Sequence, residues 1–446
     1  MSHPRSIVLA AAAVVALAVP ATAAAAYPPP ASPQAPQTAP KGPFRTLKVC
    51  KRGAGCLRTI QAAVRQAHPG DTIKVADGTY REGVRIAGAS KRYLKLIGNP
   101  KDASKVILEG TGLKGAAAQN GVVINGADHV TVDGFRAQHY QGNGFFAVNL
   151  RDYKLTHLQA FLTGVYGVYA FNSVGGEMSH SEAAWNNDSG FYIGQTKQQA
   201  KPVRSIVTDV SAYGNVLGFS GTNMRYVTIT KSRFFNNGLG IVPNALDSEK
   251  YAPPEDNVIT DNDIFWNNFN YFGAAPFKLR KGATGEIPYP VGTGILLFGG
   301  RRTRVEGNRV YGNYLVGVGA IQQLLLKQSD AKDLVGNQVL NNAFGLGGAD
   351  KNGRDLFYDG TGQNNCFGPN SGVDVTVPAD GNTLVPCPFA GANTFDANAQ
   401  SEAVNWAAGD PTHEQFWVRS PHVAKPGYAP IEHYVKGTTP ERQPAK

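Results

Sequence analysis

Past its first 26 residues the chain contains no run approaching the roughly 20 apolar residues that a membrane-crossing helix needs. A helical membrane protein is therefore disfavoured. Cysteine is scarce, four residues in 446, and neither a CxxC spacing nor an accompanying histidine pair is present, which argues against a zinc site. No basic stretch is interleaved with aromatics, so nucleic acid is not an expected partner. Helical periodicity is missing from the middle of the chain. A chain that lacks these features must build its core from short strands.

What is present begins with a leader. Arg5 precedes an apolar run from Ile7 to Val19 and then the small residues "PATAAAA", which reads as a signal peptide over 1–26, cleaved near Ala23 to Ala26. The mature protein is expected to be secreted and soluble. Prolines at 28, 29, 30, 33, 36, 40 and 43 mark residues 27–43 as an extended linker. In an oxidising compartment the four cysteines pair locally, Cys50 with Cys56 and Cys366 with Cys387.

The remaining length exceeds what one compact core usually fills, about 250 to 300 residues, unless the core grows in one dimension. It repeats. A pattern built on an asparagine returns at Asn187, Asn215, Asn237, Asn268, Asn313 and Asn342, with an apolar or aromatic residue two positions earlier. A glycine soon afterwards opens a short apolar run, as in "GFYIG", "GFSG" and "GIVPN". Upstream lies a second strand-like piece such as "YVTITKSRFF". A strand–turn–strand unit of about 22 to 28 residues, rich in glycine and asparagine, implies stacked coils of parallel strands about 4.8 Å apart. Asparagine suits the turn because its amide can bond along the stack and because it tolerates the left-handed backbone conformation.

These rungs, together with the entry segment "LRTIQAAVRQAHPGDTIKVADGTYREGVRI", resemble the right-handed parallel β-helix proteins of the pectate-lyase-like superfamily and their PbH1-type repeats. The resemblance implies an all-β solenoid over 44–352, capped by a short helix from Ile60 to Ala67 with Thr59 as N-cap. An irregular C-terminal cap over 353–446 is expected to follow. It also implies a cleft along the first strand of each coil, walled by long connections. The connections here are 194–204, 243–256 and 320–333, and an insertion at 269–293 is expected to loop out of the stack.

Seven residues before the repeat asparagine, one column of the first strand is expected to carry His180, Thr208, Thr230, Asp261 and Glu306, with Lys231 and Asp263 close by. Asp261 and Glu306 on neighbouring rungs, joined by Asp263, would hold a cation, and in a secreted β-helix that cation would be Ca2+. Surface ion pairs with Lys231, Arg304 or Arg309 are the simpler alternative. His157 and His180 form a possible column of their own. For an enzyme, Lys231 is the candidate base, with His180 as a second candidate catalytic residue.

The leader carries one arginine, so 43 − 1 = 42 basic residues stand against 33 acidic, about +9 in the mature chain. That balance suits an acidic polysaccharide or cell-wall glycan. In a lyase-type reaction a cation or arginine neutralises the uronate carboxylate while a base removes the neighbouring proton. The family's enzyme signatures "WIDH", "GHG", "RIK" and "DPH" do not occur. Three readings stay open: a uronate polysaccharide lyase, a non-catalytic glycan-binding scaffold, and an accessory protein for copper-enzyme maturation. A monomer is expected in each.

Overall fold

The computed structural model describes residues 38–408, apart from 248, 270, 272–288, 325, 327–331, 349 and 380–382. The leader and most of the proline-rich linker lie outside the described residues, as does most of the insertion. Every strand-to-strand register within the coil is parallel, and each strand pairs with its counterpart one turn later. Phe145, Val168, Phe191, Phe219, Ile241, Ile295 and Val318 thus fall into one column. The chain is a parallel β-solenoid of about eleven turns, with an 11-stranded sheet on one side and an 18-stranded sheet wrapping the rest.

The inward column follows from alternation. In a strand every second side chain faces the same way, and the column just named is buried throughout. The intervening residues face outward. Ile241 pairs directly with Ile295, so the coil continues across the insertion.

At the asparagine corners a residue at positive φ is followed by a residue whose polar side chain points inward. Gly214, Asn236, Trp266 and Gly312 take the left-handed conformation and precede Asn215, Asn237, Asn267 and Asn313. The amides stack: Asn186 donates to Asn215 at 2.9 Å, Asn215 to Asn237 at 3.0 Å, Asn237 to Asn267 at 3.1 Å, Asn267 to Asn313 at 3.1 Å and Asn313 to Asn352 at 3.0 Å. A second ladder runs Asn262–Asn308–Asn342–Asn370 and a third Asn337–Asn365–Asn393. The expected ladder therefore needs correction at three rungs. Asn186 replaces Asn187, Asn267 replaces Asn268, and Asn342 belongs to a different corner. In "WNN" the ladder amide is the one next to the left-handed residue; the second asparagine bonds elsewhere, Asn268 donating to the carbonyl of Gly312 and accepting from the N–H of Tyr314, both at 2.8 Å.

Helix α1, Ile60–Gln66, closes the N-terminal end with Thr59 as N-cap, its side chain accepting from the backbone N–H of Ala62 at 3.2 Å. The Glu82 carboxylate accepts from the N–H groups of Ile60 and Gln61, both at 2.9 Å, and so satisfies donors that a helix start leaves open. Both disulfides form as read, with Cα–Cα separations of 5.8 Å for Cys50–Cys56 and 4.9 Å for Cys366–Cys387. The coil does not stop at residue 352. Strands Leu356–Tyr358, Cys366–Phe367 and Thr376–Val377 continue the parallel stacking. Helix α2, Ala397–Ala408, then lays Trp406 on Phe357, ring centres 4.6 Å apart.

Candidate functional site

The outer face of the 11-stranded sheet departs from a plain solvated surface. Two residues after a rung glycine the alternation sends Phe146, Tyr169 and Tyr192 outward on consecutive turns. Phe146 stacks on Tyr169 at 4.5 Å, and Tyr169 meets Tyr192 edge-on at 4.8 Å. Tyr166, from the turn before its strand, touches both tyrosines at 4.5 and 4.8 Å. Phe146, Tyr166 and Tyr169 remain partly exposed, whereas Tyr192 is buried. Geometries of this kind favour ring edges and faces over sandwich stacking and hold the rings in place.

Tyr192 is covered by the connection that leaves the next-but-one rung. Its hydroxyl donates to Glu249 Oε1 at 2.7 Å. The second carboxyl oxygen, Oε2, is also shut off from solvent and has no hydrogen-bond partner among the described residues. Burial penalises the charged form of Glu249 and pushes its carboxyl up to about 7, helped by the negative charge of Asp188 and opposed by the Tyr192 hydrogen bond. Burial likewise holds the phenols of Tyr166 and Tyr192 well above their ordinary range, so both stay protonated donors.

The loop bearing Glu249 is pinned from below. Gln195 Oε1 accepts from the N–H of Lys250 at 2.8 Å, and Asn223 exchanges hydrogen bonds with the backbone of Leu246 at 2.8 and 3.2 Å. Arg225, fully buried, pairs with Glu255 at 3.0 Å and donates to the carbonyls of Thr196 and Tyr251. It ties the connection 194–204 to the connection 243–256. Losing either partner would strand a buried charge. Arg225 is a strut that fixes where Glu249 sits.

Beyond the tyrosines the face runs into a cleft. Phe171 lies 5.8 Å from Tyr169, and Asn172, next in sequence, lines a cavity of about 580 Å3 together with Asn149, Arg151, Lys197, Gln199 and Lys201.

The residues singled out from sequence lie elsewhere. His157, His180, Asp209, Lys231 and Asp261 occupy one corner of the 18-stranded sheet, all at positive φ. The residue aligned with Glu306 is Thr260, so Asp261 is one position past the expected column, as is His180, since Ser179 aligns with Thr208. The one-residue offset has the same origin as in the ladder, since the inward asparagines on these two rungs are Asn186 and Asn267, not Asn187 and Asn268. Glu306 is gripped by Arg304 at 2.6 and 2.8 Å, which holds its carboxyl below the ordinary range. Asp263 is bound by Arg309 at 2.5 and 2.7 Å. Among the described residues no three His, Cys, Asp or Glu side chains converge on a point that could hold a metal ion. The expected Ca2+ ligands Asp261, Asp263 and Glu306 are therefore not gathered into a site. His157 and His180 do stack, 4.9 Å apart, each with its Nδ1 on a carboxylate, Asp133 at 2.9 Å and Asp209 at 2.6 Å.

Glu249 and the tyrosines were missed, although a signal existed. Phe146, Tyr169 and Tyr192 share one offset from their rung glycines, and Glu249 stands in one of the irregular connections. That face belongs to the third strand of the coil, not the first.

No family model and no curated protein matches the chain. Solved structures similar in fold include the mannuronan C-5 epimerase AlgE4 A-module of Azotobacter vinelandii, at 13% identity and TM-score 0.49, covering 76% of this chain and 95% of that one. An alginate lyase from Paenibacillus sp. is similar at 15% identity and TM-score 0.41, over 70% and 97% of the two chains. Pectate lyase Pel9A follows at 16% and 0.39, over 79% and 82%. At such values the likeness is one of fold, and no residue role transfers through it.

Proposed function

We propose that the outer face of the 11-stranded sheet binds an acidic, uronate-type polysaccharide and that Glu249 moves a proton there in a lyase-type reaction. The observation that carries this reading is the Glu249 carboxyl, pushed up to about 7, anchored on one oxygen by Tyr192 and without a hydrogen-bond partner on the other among the described residues. A group of that pKa is half ionised at neutral pH and is suited to general acid–base work. The partly exposed rings of Phe146, Tyr166 and Tyr169 offer apolar faces to sugar rings, and the basic balance of the chain suits a polyanion.

In the reaction Glu249, ionised, takes the proton next to the uronate carboxyl. The C–H electron pair forms the new C=C bond, and the glycosidic C–O bond breaks with its electrons leaving on oxygen, which is protonated by the acid just formed or by water. The phenol of Tyr192 keeps the carboxylate oriented throughout. The test is release of unsaturated product from uronate polymers, read by ultraviolet absorbance, with wild type against Glu249→Gln and Tyr192→Phe. Activity in the wild type that vanishes in Glu249→Gln supports the reading. Unchanged activity in Glu249→Gln overturns it, and polymer binding without product leaves the glycan-binding scaffold as the function.

A further inference from the structure

The cleft beside the tyrosine face carries an arrangement that packing alone does not explain. Asn149, Asn172, Gln195 and Asn223 occupy one outer corner of successive turns, each at positive φ. An amide ladder starts there, Asn172 donating to Asn149 Oδ1 at 2.6 Å. It then stops, because Gln195 turns away to accept from Lys250. Asn172 Oδ1 is left screened from solvent without a donor. Facing the same cavity, Gln199 uses its Oε1 to accept from Val203 at 3.2 Å, which leaves its buried Nε2 without an acceptor. One unpaired acceptor and one unpaired donor in one cleft are what a sugar hydroxyl satisfies, since it both gives and takes a hydrogen bond.

The charges point to an anion. Lys197 and Lys201 line the cleft, both exposed, and form no ion pair among the described residues. Arg151 holds Asp128 through its backbone N–H at 2.8 Å and its Nε at 3.2 Å, which leaves its terminal nitrogens for a ligand. The cleft's other acid, Asp152, is engaged with His129 at 3.4 Å. We infer that this cleft is a subsite for one anionic sugar unit, whose ring hydroxyl bridges Asn172 and Gln199 and whose carboxylate or sulfate ester meets Lys197, Lys201 and Arg151. The inference rests on the reading of the face as glycan-binding and deepens it, placing the anion-reading groups in the cleft that Asn172 lines.

The test is calorimetric titration at low salt of the full chain with three probes: a uronate oligosaccharide, its carboxyl-reduced counterpart and a sulfated oligosaccharide of similar length. The expected result is binding of at least one anionic probe, at least tenfold weaker binding of it by Lys197→Ala/Lys201→Ala and by Asn172→Ala, and no preference for the anionic over the reduced chain in the double variant. The two anionic probes separate carboxylate from sulfate. Equal affinity of wild type and both variants for every probe overturns the subsite while leaving the tyrosine face intact. Binding that depends on Lys197 and Lys201, together with turnover indifferent to Glu249→Gln, sinks the proton-transfer reading and leaves the subsite standing. No binding of any probe removes both.

Discussion

Inside and outside, the same coil treats polar groups in opposite ways. At the inner corners each ladder amide is saturated: Asn237 donates to the carbonyls of Ala212 and Phe235 and to Asn267, and accepts from the N–H and the side chain of Asn215. On the outer face of the 11-stranded sheet Glu249, Asn172 and Gln199 each keep a buried atom unpaired. Two carboxylates sharpen the contrast. Glu109 is desolvated too, yet hydrogen bonds from Thr111, Gln138 and His139 outweigh that and hold it down at about 2, whereas Glu249, with one bond, is pushed up to about 7. The hydrogen bonds that a desolvated carboxylate receives thus decide the direction of its shift.

The largest effect expected from breaking this contrast is on turnover. Glu249→Gln keeps the shape and the Tyr192 contact but removes the ionisable group, and should lower any lyase rate by about 10²- to 10⁴-fold, measured as initial rate of unsaturated product. Next comes Asn237→Leu, which strands several buried donors and acceptors of the ladder at once and should destabilise the coil by about 3 kcal/mol or more, read from the melting transition. An unchanged transition would remove the inner ladder from the account of stability.

A smaller effect is carried by pH. The folded protein holds Glu249 above its ordinary value of 4.5, so the folded state binds the extra proton between about 4.5 and 7. Its contribution is full below 4.5 and is lost as pH rises through 7. For a partly screened group this amounts to roughly 1 to 2 kcal/mol, and Glu249→Gln should flatten that part of the stability profile. Glu109 has the opposite sign: its contribution is present above 4.5 and lost as pH falls through about 2. The least effect is expected from Asn172→Ala, within about 0.5 kcal/mol, because the outer ladder ends there and Asn172 Oδ1 is already unpaired.

The solenoid was legible because its causes are local and repeated. Glycine, alternating apolar residues and corner asparagines recur with one period, and the cysteines lie close in sequence. Residue-level register was not. Where two asparagines adjoin, as at Asn186 and Asn187 or Asn267 and Asn268, side-chain type cannot say which turns inward; only the left-handed residue before it decides, and Trp185 and Trp266, bulky residues seldom found at positive φ, hold that place here. That single slip displaced Asp261 and His180 from their expected column. The Glu249–Tyr192 contact was illegible for another reason. It joins residues 57 apart through an irregular loop, and its meaning comes from desolvation, which no residue spacing encodes.

The proton-transfer role turns on the ionisation of Glu249, and a direct titration decides it. Carbon-13 carboxyl resonances of glutamate-labelled protein, with the Glu249 signal assigned by its loss in Glu249→Gln, should show a midpoint near 7. A midpoint near 4.5, the ordinary glutamate value, would mean that water reaches the carboxylate freely, and both the proton-transfer role and the contrast between the two faces of the coil would fall.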